Sequence, residues 1–517
     1  MSDFKIRSLA GIGIVVVFAA MAMAQDVDPS TFANPPVDNW QTYHGDYSGQ
    51  RHSPLTEITP ANVTGLTELW RFDTGQQPQI KGTPILVDDV MYVTTPDNLW
   101  AIDARTAEEI WHYTYPMNDA FHIGHRGVAV YKDNVYLTTP NAHLLALDAR
   151  DGSLRWDVMI ADSNRGFWST NAPLVIGNHV IVGVSGDFDN VPGQLKSVDA
   201  DTGETQWIFY STPVPGTPGS ISGGATGGQM WMTGTYDPEL NLMYVGTGNP
   251  TPVLNGEARP GDNLWTCSIV ALNPDTGELV WGFQVSPHDT HDWDAAEVPV
   301  LVDGMFEGVE RKMLMQASRN GYFFVLDRTN GENLLTSPFT TVNWAKEIDE
   351  LGRPIPDPAK EPTPDGVLVA PNEAGGTNYR SPSFDPDTGL FLVSAQDGYG
   401  IYFFKPDHGA YGWAGADYNV RGRSFLRAID YQTGDIVWSH PIGNNAGTAG
   451  VMTTASGLTF TGDIPGNFMA LRTSDGETLW HSPIGRVGNG PITYEMDGRQ
   501  VVVAAAGSSL YAFVLED

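Results

Sequence analysis

The segment ALDARDGSLRW, Ala146–Trp156, decides the fold because it recurs. AIDARTAEEIW ends at Trp111, SVDADTGETQW at Trp207, ALNPDTGELVW at Trp281, AIDYQTGDIVW at Trp438 and ALRTSDGETLW at Trp480. LTELW at Trp70 and VLDRTNGENLL at Val325–Leu335 are degenerate copies. Each full copy reads as strand, tight turn, strand: an apolar pair, a D-x-x-T-G-like turn, then a run closing on Trp. Trp111 and Trp156 lie 45 residues apart, Trp156 and Trp207 51, Trp438 and Trp480 42. Strand-like runs such as NVYLTTP, HVIVGV and LMYVGTG fill the intervals. A period of about 40–50 residues with about four strands per copy marks a β-propeller blade. Seven or eight copies close the ring, and no long segment of helical period supports a two-domain α/β alternative.

Composition agrees with an all-β reading. The 517 residues include 57 Gly and 36 Pro, so turns are frequent, and 15 Trp supply a large apolar payload. Charged residues are 17%, below the roughly 25% of ordinary soluble domains. The 28 basic and 61 acidic side chains give a formal charge of −33, which repels nucleic acid and anionic membrane surfaces and steers cationic partners inward. Cys267 is the single cysteine, which excludes an intrachain disulfide and covalent haem through C-x-x-C-H. An electron-carrying haem would therefore sit on a separate chain.

The first residues have the three parts of a secretory signal: basic Lys5 and Arg7, apolar Leu9–Met21 and the A-x-A site Ala22-Met23-Ala24. An uncleaved anchor is the competing reading. The expectation is a signal peptide over 1–24, a single propeller domain over 25–517 and a periplasmic address. No later segment offers the ~18 apolar residues of a membrane helix.

From Asp38 to the C-terminus the repeat resembles the tryptophan-docking motif of the PQQ-dependent (quinoprotein) alcohol dehydrogenases of the methanol and ethanol type. The resemblance implies an eight-bladed propeller of four-stranded antiparallel blades, and a structural role for Trp111, Trp156, Trp207, Trp281, Trp438 and Trp480. It also implies pyrroloquinoline quinone (PQQ) and one metal ion, a lanthanide(III) or Ca2+, at the mouth of the channel. In GGQMWMTGTYDPELNLMYVGTGNP, Gly227–Pro250, Trp231 matches the indole under the quinone ring and Asn249 the amide ligand of the metal. In VSGDFDNVPG, Val184–Gly193, Ser185 matches a cofactor-bonding hydroxyl and Asp187 a carboxylate ligand, with Asp189 as its alternative.

PHDTHDWDAAE, Pro287–Glu297, holds three Asp, one Glu and two His. His288 and His291 form H-x-x-H, which suggests zinc but has no third His or Cys at a recognised spacing. The resemblance makes Asp292 the catalytic base beside the metal. Asp294 takes the place where lanthanide-using members carry an extra Asp; a register slip of two would exchange the two roles. A further anionic oxygen suits a trivalent hard cation. Arg126 in HRGVAV, Thr170 in STNAP, Arg319 in ASRNGYFFVLDR and Asn378 in GGTNYRSP match further cofactor contacts, with Arg319 over the reactive oxygens.

The chain also departs from the family pattern. Its vicinal Cys pair would fall at Ala120-Phe121, Lys81 stands for a usual acid, Gln229 for a usual Thr, and Thr448 lies near a position often held by Trp. These features mark a divergent branch without a haem domain. The reading that follows is a periplasmic enzyme oxidising an alcohol to a carbonyl by hydride transfer to PQQ, with electrons leaving to a separate acceptor such as a soluble cytochrome c. A homodimer is left open. The alternative is a non-catalytic propeller of the same fold acting as an envelope scaffold.

Overall fold

The computed structural model describes residues 27, 29–75, 79–116, 124–186, 191–213, 226–405, 412–444 and 449–516. The expected signal segment, Asp187, Asp189, Ala120-Phe121 and Thr448 lie outside them. Among the described residues, eight blade sheets built on antiparallel meanders succeed one another along the chain, beside two two-stranded sheets. The first blade is Ile85–Val87, Val90–Thr95, Asn98–Asp103 and Glu109–Thr114. The second opens at Ala129, the third at Leu174, the fourth at Thr235, the fifth at Val300, the sixth at Ser383 and the seventh at Met452. The eighth combines Ile492–Met496, Arg499–Ala506 and Ser509–Leu515 with Leu66–Asp73.

That last pairing closes the ring. Leu66–Asp73 runs antiparallel to Ser509–Leu515 with Trp70 opposite Ala512, so the start and the end of the domain share one sheet. Sequence patterning explains the blade interior. Inner strands such as Val90–Thr95 and His143–Asp148 are buried on both faces between neighbouring blades and read as continuous apolar runs. Outer strands such as Glu109–Thr114 and Thr205–Tyr210 alternate, with Trp111 and Trp207 as the inward position.

The repeated tryptophan locks one blade to the next. Trp70 Nε1 donates to Ala104 O (2.9 Å), Trp111 to Ala149 O (2.9 Å), Trp207 to Pro274 O (2.8 Å), Trp281 to Arg328 O (3.1 Å) and Trp438 to Thr473 O (3.0 Å). Each acceptor is the same position of the following copy, one residue past the Asp, Asn or Arg that opens its turn. The turn glycine lies against the indole: a Cβ on Gly152 would stand 2.6 Å from Trp111 Cε3. Gly152 also has φ +71°, so both the space and the backbone demand glycine. Trp156 differs, since its buried Nε1 has no hydrogen-bond partner while Tyr136 Oη donates to Ala200 O at 2.9 Å. In the fifth blade, which lacks the Trp, Ser337 and Leu335 pack against the Gly434 turn instead.

Candidate active site

In a four-stranded meander the second-to-third connection and the blade-to-blade connection lie at the same end of the sheet. Arg126, Thr170, Trp231, Asp292, Asp294 and Asn378 are on blade-to-blade connections; Ser185, Asn249 and Arg319 follow the second strand of their blades. The topology alone therefore brings nine widely separated residues to one end of the ring.

The loop of Trp231 is tied to that of Asn249 by backbone. Thr226–Gly227 pairs with Pro250–Thr251, Gly228 N donates to Asn249 O (2.8 Å) and Gly248 N to Gln229 O (2.9 Å). Gly227 sits at φ +92°, and a Cβ there would stand 2.3 Å from Asn249 O, so the close approach requires glycine. Asn249 Nδ2 donates to Pro250 O (3.2 Å), and its side-chain oxygen makes no hydrogen bond among the described residues.

The Asp292 loop is shaped by Asp289. Its Oδ2 accepts from the backbone N–H of Asp292 (3.0 Å) and Trp293 (3.2 Å), and Oδ1 from that of His291 (3.3 Å). These bonds hold Asp292 at φ +67°, a left-handed conformation that a non-glycine residue adopts against roughly 1–2 kcal/mol of steric resistance. Burial raises the Asp289 pKa to about 6, although Arg259 opposes the shift. Period-two alternation then sends Asp292 and Asp294 one way and His291 and Trp293 the other. His291 stacks on Trp293 (4.4 Å between ring centroids) and its Nε2 contacts Lys360 O (3.0 Å), while His288 Nδ1 contacts Gly261 O (2.7 Å).

Asp294 is the junction of the site. Its Oδ1 accepts from Asn249 N (2.6 Å), and its Oδ2 from Trp231 Nε1 (2.9 Å) and Arg319 Nη1 (2.9 Å). Arg319 Nη2 reaches Asp292 Oδ2 (2.7 Å) and Glu373 O (2.7 Å). One guanidinium thus bridges both aspartates. Burial alone would lower the Arg319 pKa, but Asp292, Asp294, Glu373 and Glu297 together hold it well above the ordinary value. Burial pushes the Asp294 carboxyl upward, against Arg319 and the three donors.

On the other side of Trp231, the Arg126 guanidinium lies 4.6 Å over the indole and bonds Thr170 Oγ1. Ser185 pairs by backbone with Trp168. Asn378 Nδ2 donates to Ala374 O (3.0 Å), and Asn378 lines a cavity of about 150 Å³ with Tyr379, Arg380 and Gln396.

Sequence reasoning missed Asp289, Glu297, Tyr379 and Arg380. Asp289 and Glu297 stand inside the quoted acidic stretch, yet nothing in their spacing distinguishes a loop-shaping Asp from a ligand. Glu297 is 3% exposed, and both of its carboxylate oxygens lack a hydrogen-bond partner. Burial drives its pKa well above the usual range.

The donor set tests what the site can hold. Asp292 and Asp294 outnumber the single cation that bridges them, Arg319, and the Asn249 amide oxygen makes no hydrogen bond among the described residues. Two carboxylates and an amide oxygen, with net negative charge, are donors of the kind a divalent or trivalent hard cation takes. The half-buried Trp231 ring, flanked by Arg126 and Thr170, fits a flat anionic aromatic group beside it.

Comparison with known proteins agrees. Residues 40–350 match the family model of the glucose/ethanol/alcohol dehydrogenase β-propeller domain, and residues 422–517 match a model of the outer membrane protein assembly factor BamB. The chain is 35% identical over 508 residues to a quinoprotein alcohol dehydrogenase, PedH, of Pseudomonas putida, covering 89% of this chain and 84% of that one. It is 30% identical to a lanthanide-dependent methanol dehydrogenase of Methylacidiphilum fumariolicum, covering 96% and 89%. The solved quinohemoprotein alcohol dehydrogenase of Comamonas testosteroni superposes with a TM-score of 0.89 at 31% identity, covering 96% of this chain and 83% of that one. Eight blades locked by repeated tryptophans, an indole bonded to Asp294 and these likenesses agree: the chain belongs to the PQQ-dependent alcohol dehydrogenase family of β-propellers.

Proposed function

We propose that the protein oxidises an alcohol to a carbonyl with PQQ and one metal ion, a lanthanide(III) or Ca2+, and passes the electrons to a separate acceptor such as a soluble cytochrome c. The observation that carries this reading is the continuous link Trp231–Asp294–Arg319–Asp292, in which the indole of the cofactor platform bonds directly to a carboxylate of the metal-binding pair. Bound PQQ would supply the hydride acceptor, and the metal a Lewis acid.

The chain's residues divide the remaining work. Asn249, Asp292 and Asp294 are the metal ligands, joined by Asp187 on the strength of the resemblance. Trp231 offers the stacking face, with Arg126, Thr170, Ser185 and Asn378 around it. Asp292 is the general base on the strength of the resemblance; its Oδ2 bonds Arg319 Nη2 at 2.7 Å, and both oxygens of Asp294 are occupied by three donors. Asp292, hydrogen-bonded to the guanidinium at 2.7 Å, would take the hydroxyl proton. Arg319 also stabilises charge that gathers beside it as the substrate is oxidised.

Residues 1–24 as a cleaved signal, 25–517 as one domain and a periplasmic address complete the proposal. The test is reconstitution of the purified apoprotein with PQQ plus calcium or a light lanthanide, followed by dye reduction over a panel of alcohols. Activity dependent on both PQQ and metal is expected; no dye reduction under either metal would overturn the reading.

A further inference from the structure

The aspartates and Arg319 form the negative half of the channel mouth. The opposite half is positive. Arg126 stands 4.6 Å over the Trp231 ring and 5.3 Å over the Tyr379 ring. Arg380 lies 4.7 Å from the Tyr379 ring centroid and Lys81 Nζ 6.0 Å. Arg486 adds its charge to the same tyrosine and to Arg380. All four cations come from connections between blades, so they share the end of the ring that carries the site.

This gathering is unusual in a chain with 61 acidic and 28 basic side chains. Among the described residues, no carboxylate acts on Arg126 or Arg380 and neither makes an ion pair. The Nε atoms of both are buried without a hydrogen-bond partner. Burying like charges together sacrifices hydration and adds repulsion, which an anion entering from outside would relieve. Burial works to raise the Tyr379 pKa, but the surrounding cations overcome it and draw the phenol below its ordinary value.

We propose that Lys81 and Arg380, together with Arg126 and Arg486, grip the carboxylates of PQQ that are not engaged at the metal. The channel mouth is then a two-ended clamp, with the acidic half taking the cation and the basic half taking the anionic edge of a tricarboxylate. Charge-assisted contacts of this kind are short and strong, and Arg and Lys suit carboxylates as a fork and a point charge. The inference rests on the PQQ reading above, which already includes Arg126, and extends it to Lys81, Arg380 and Arg486, which that reading leaves unassigned.

The test uses metal-free full-length protein in EDTA, with PQQ binding followed by quenching of tryptophan fluorescence. The neutral trimethyl ester of PQQ is the control, since it keeps the ring and removes the charges. The wild type should bind the acid more tightly than the ester and lose affinity for the acid as KCl rises. Lys81→Met and Arg380→Met should each weaken acid binding about tenfold and leave ester binding unchanged. Folded variants, by circular dichroism, that bind the acid as the wild type does would overturn the proposal. So would equal wild-type affinity for acid and ester, a result that needs no variant. Quenching by neither form would overturn the quinone reading itself, and this inference with it.

Discussion

Replacing Asp294 with Ala removes an acceptor on which three donors from three loops converge: Asn249 N at 2.6 Å, and Trp231 Nε1 and Arg319 Nη1 at 2.9 Å. Each buried donor left unsatisfied costs about 1–3 kcal/mol. Arg319 keeps Asp292 at 2.7 Å, so its charge is not stranded, and the loss of one buried carboxylate eases repulsion from Asp292. The net effect should be about 3–5 kcal/mol, the size found when one partner of a buried pair is removed. Thermal unfolding in EDTA is the assay, because a bound cation would mask the hydrogen bonds. At about 2.1 cal/mol/K per residue the unfolding entropy of the 517-residue chain is about 1.1 kcal/mol/K. Asp294→Ala should therefore lower the Tm by about 3–5 °C at a matched scan rate. A Tm equal to or above that of the wild type would refute the reasoning, since carboxylate repulsion would then outweigh the three bonds.

Three further outcomes follow from the structure. Arg319→Gln leaves Asp292 and Asp294 without their bridging cation; it should destabilise metal-free protein by about 3–5 kcal/mol, and added lanthanum should recover most of the lost Tm. Gly152→Ala meets Trp111 at 2.6 Å at φ +71°, whereas Gly457→Ala at φ +83° meets nothing within 4 Å. Denaturation should show about 1–2 kcal/mol lost at Gly457 and a further ~1–3 at Gly152. His125 is buried and neutral: Thr138 spends its hydroxyl hydrogen on Asn171 O, so Nε2 must donate to Thr138, and Nδ1 accepts from Gly127 N. Burial lowers its pKa to about 3 from 6.5. The unfolded ring takes up a proton near 6.5 and the folded ring does not, so this contribution to stability is lost as pH falls from about 6.5 towards 3. His125→Asn should flatten the fall in stability between pH 6 and 4 by about 1.4 kcal/mol per pH unit relative to wild type.

Much of the fold was legible because a propeller writes its period into the chain. A repeated Trp reaches the blade after its own and lies against that blade's turn glycine, so Trp111 and Gly152 mark the lock even without a view of it. The degenerate LTELW copy proved to be the closing strand of the ring, with Trp70 bonded to Ala104 O. The candidate site was legible where residue type and motif coincide: Trp231, Asn249, Asp292 and Asp294, read from their motifs, are brought together through Asp294 and Arg319. It was not legible where function rests on convergence from distant blades. Tyr379, Arg380 and Arg486 are ordinary residues in sequence and Lys81 stands out only as a replaced acid; it is the ring that brings the three cations round the Tyr379 phenol. Glu297 was hidden for another reason: a carboxylate at the end of an acidic loop looks solvated until its burial is known.

The central claim is most directly tested by a single turnover. Protein loaded with PQQ and lanthanum, mixed anaerobically with one equivalent of a primary alcohol and no dye, is followed by absorbance and by product. The account expects the bound-quinone absorbance to bleach, with about one carbonyl formed per loaded chain. An unchanged spectrum and no carbonyl, in protein shown to hold PQQ and metal, would contradict it.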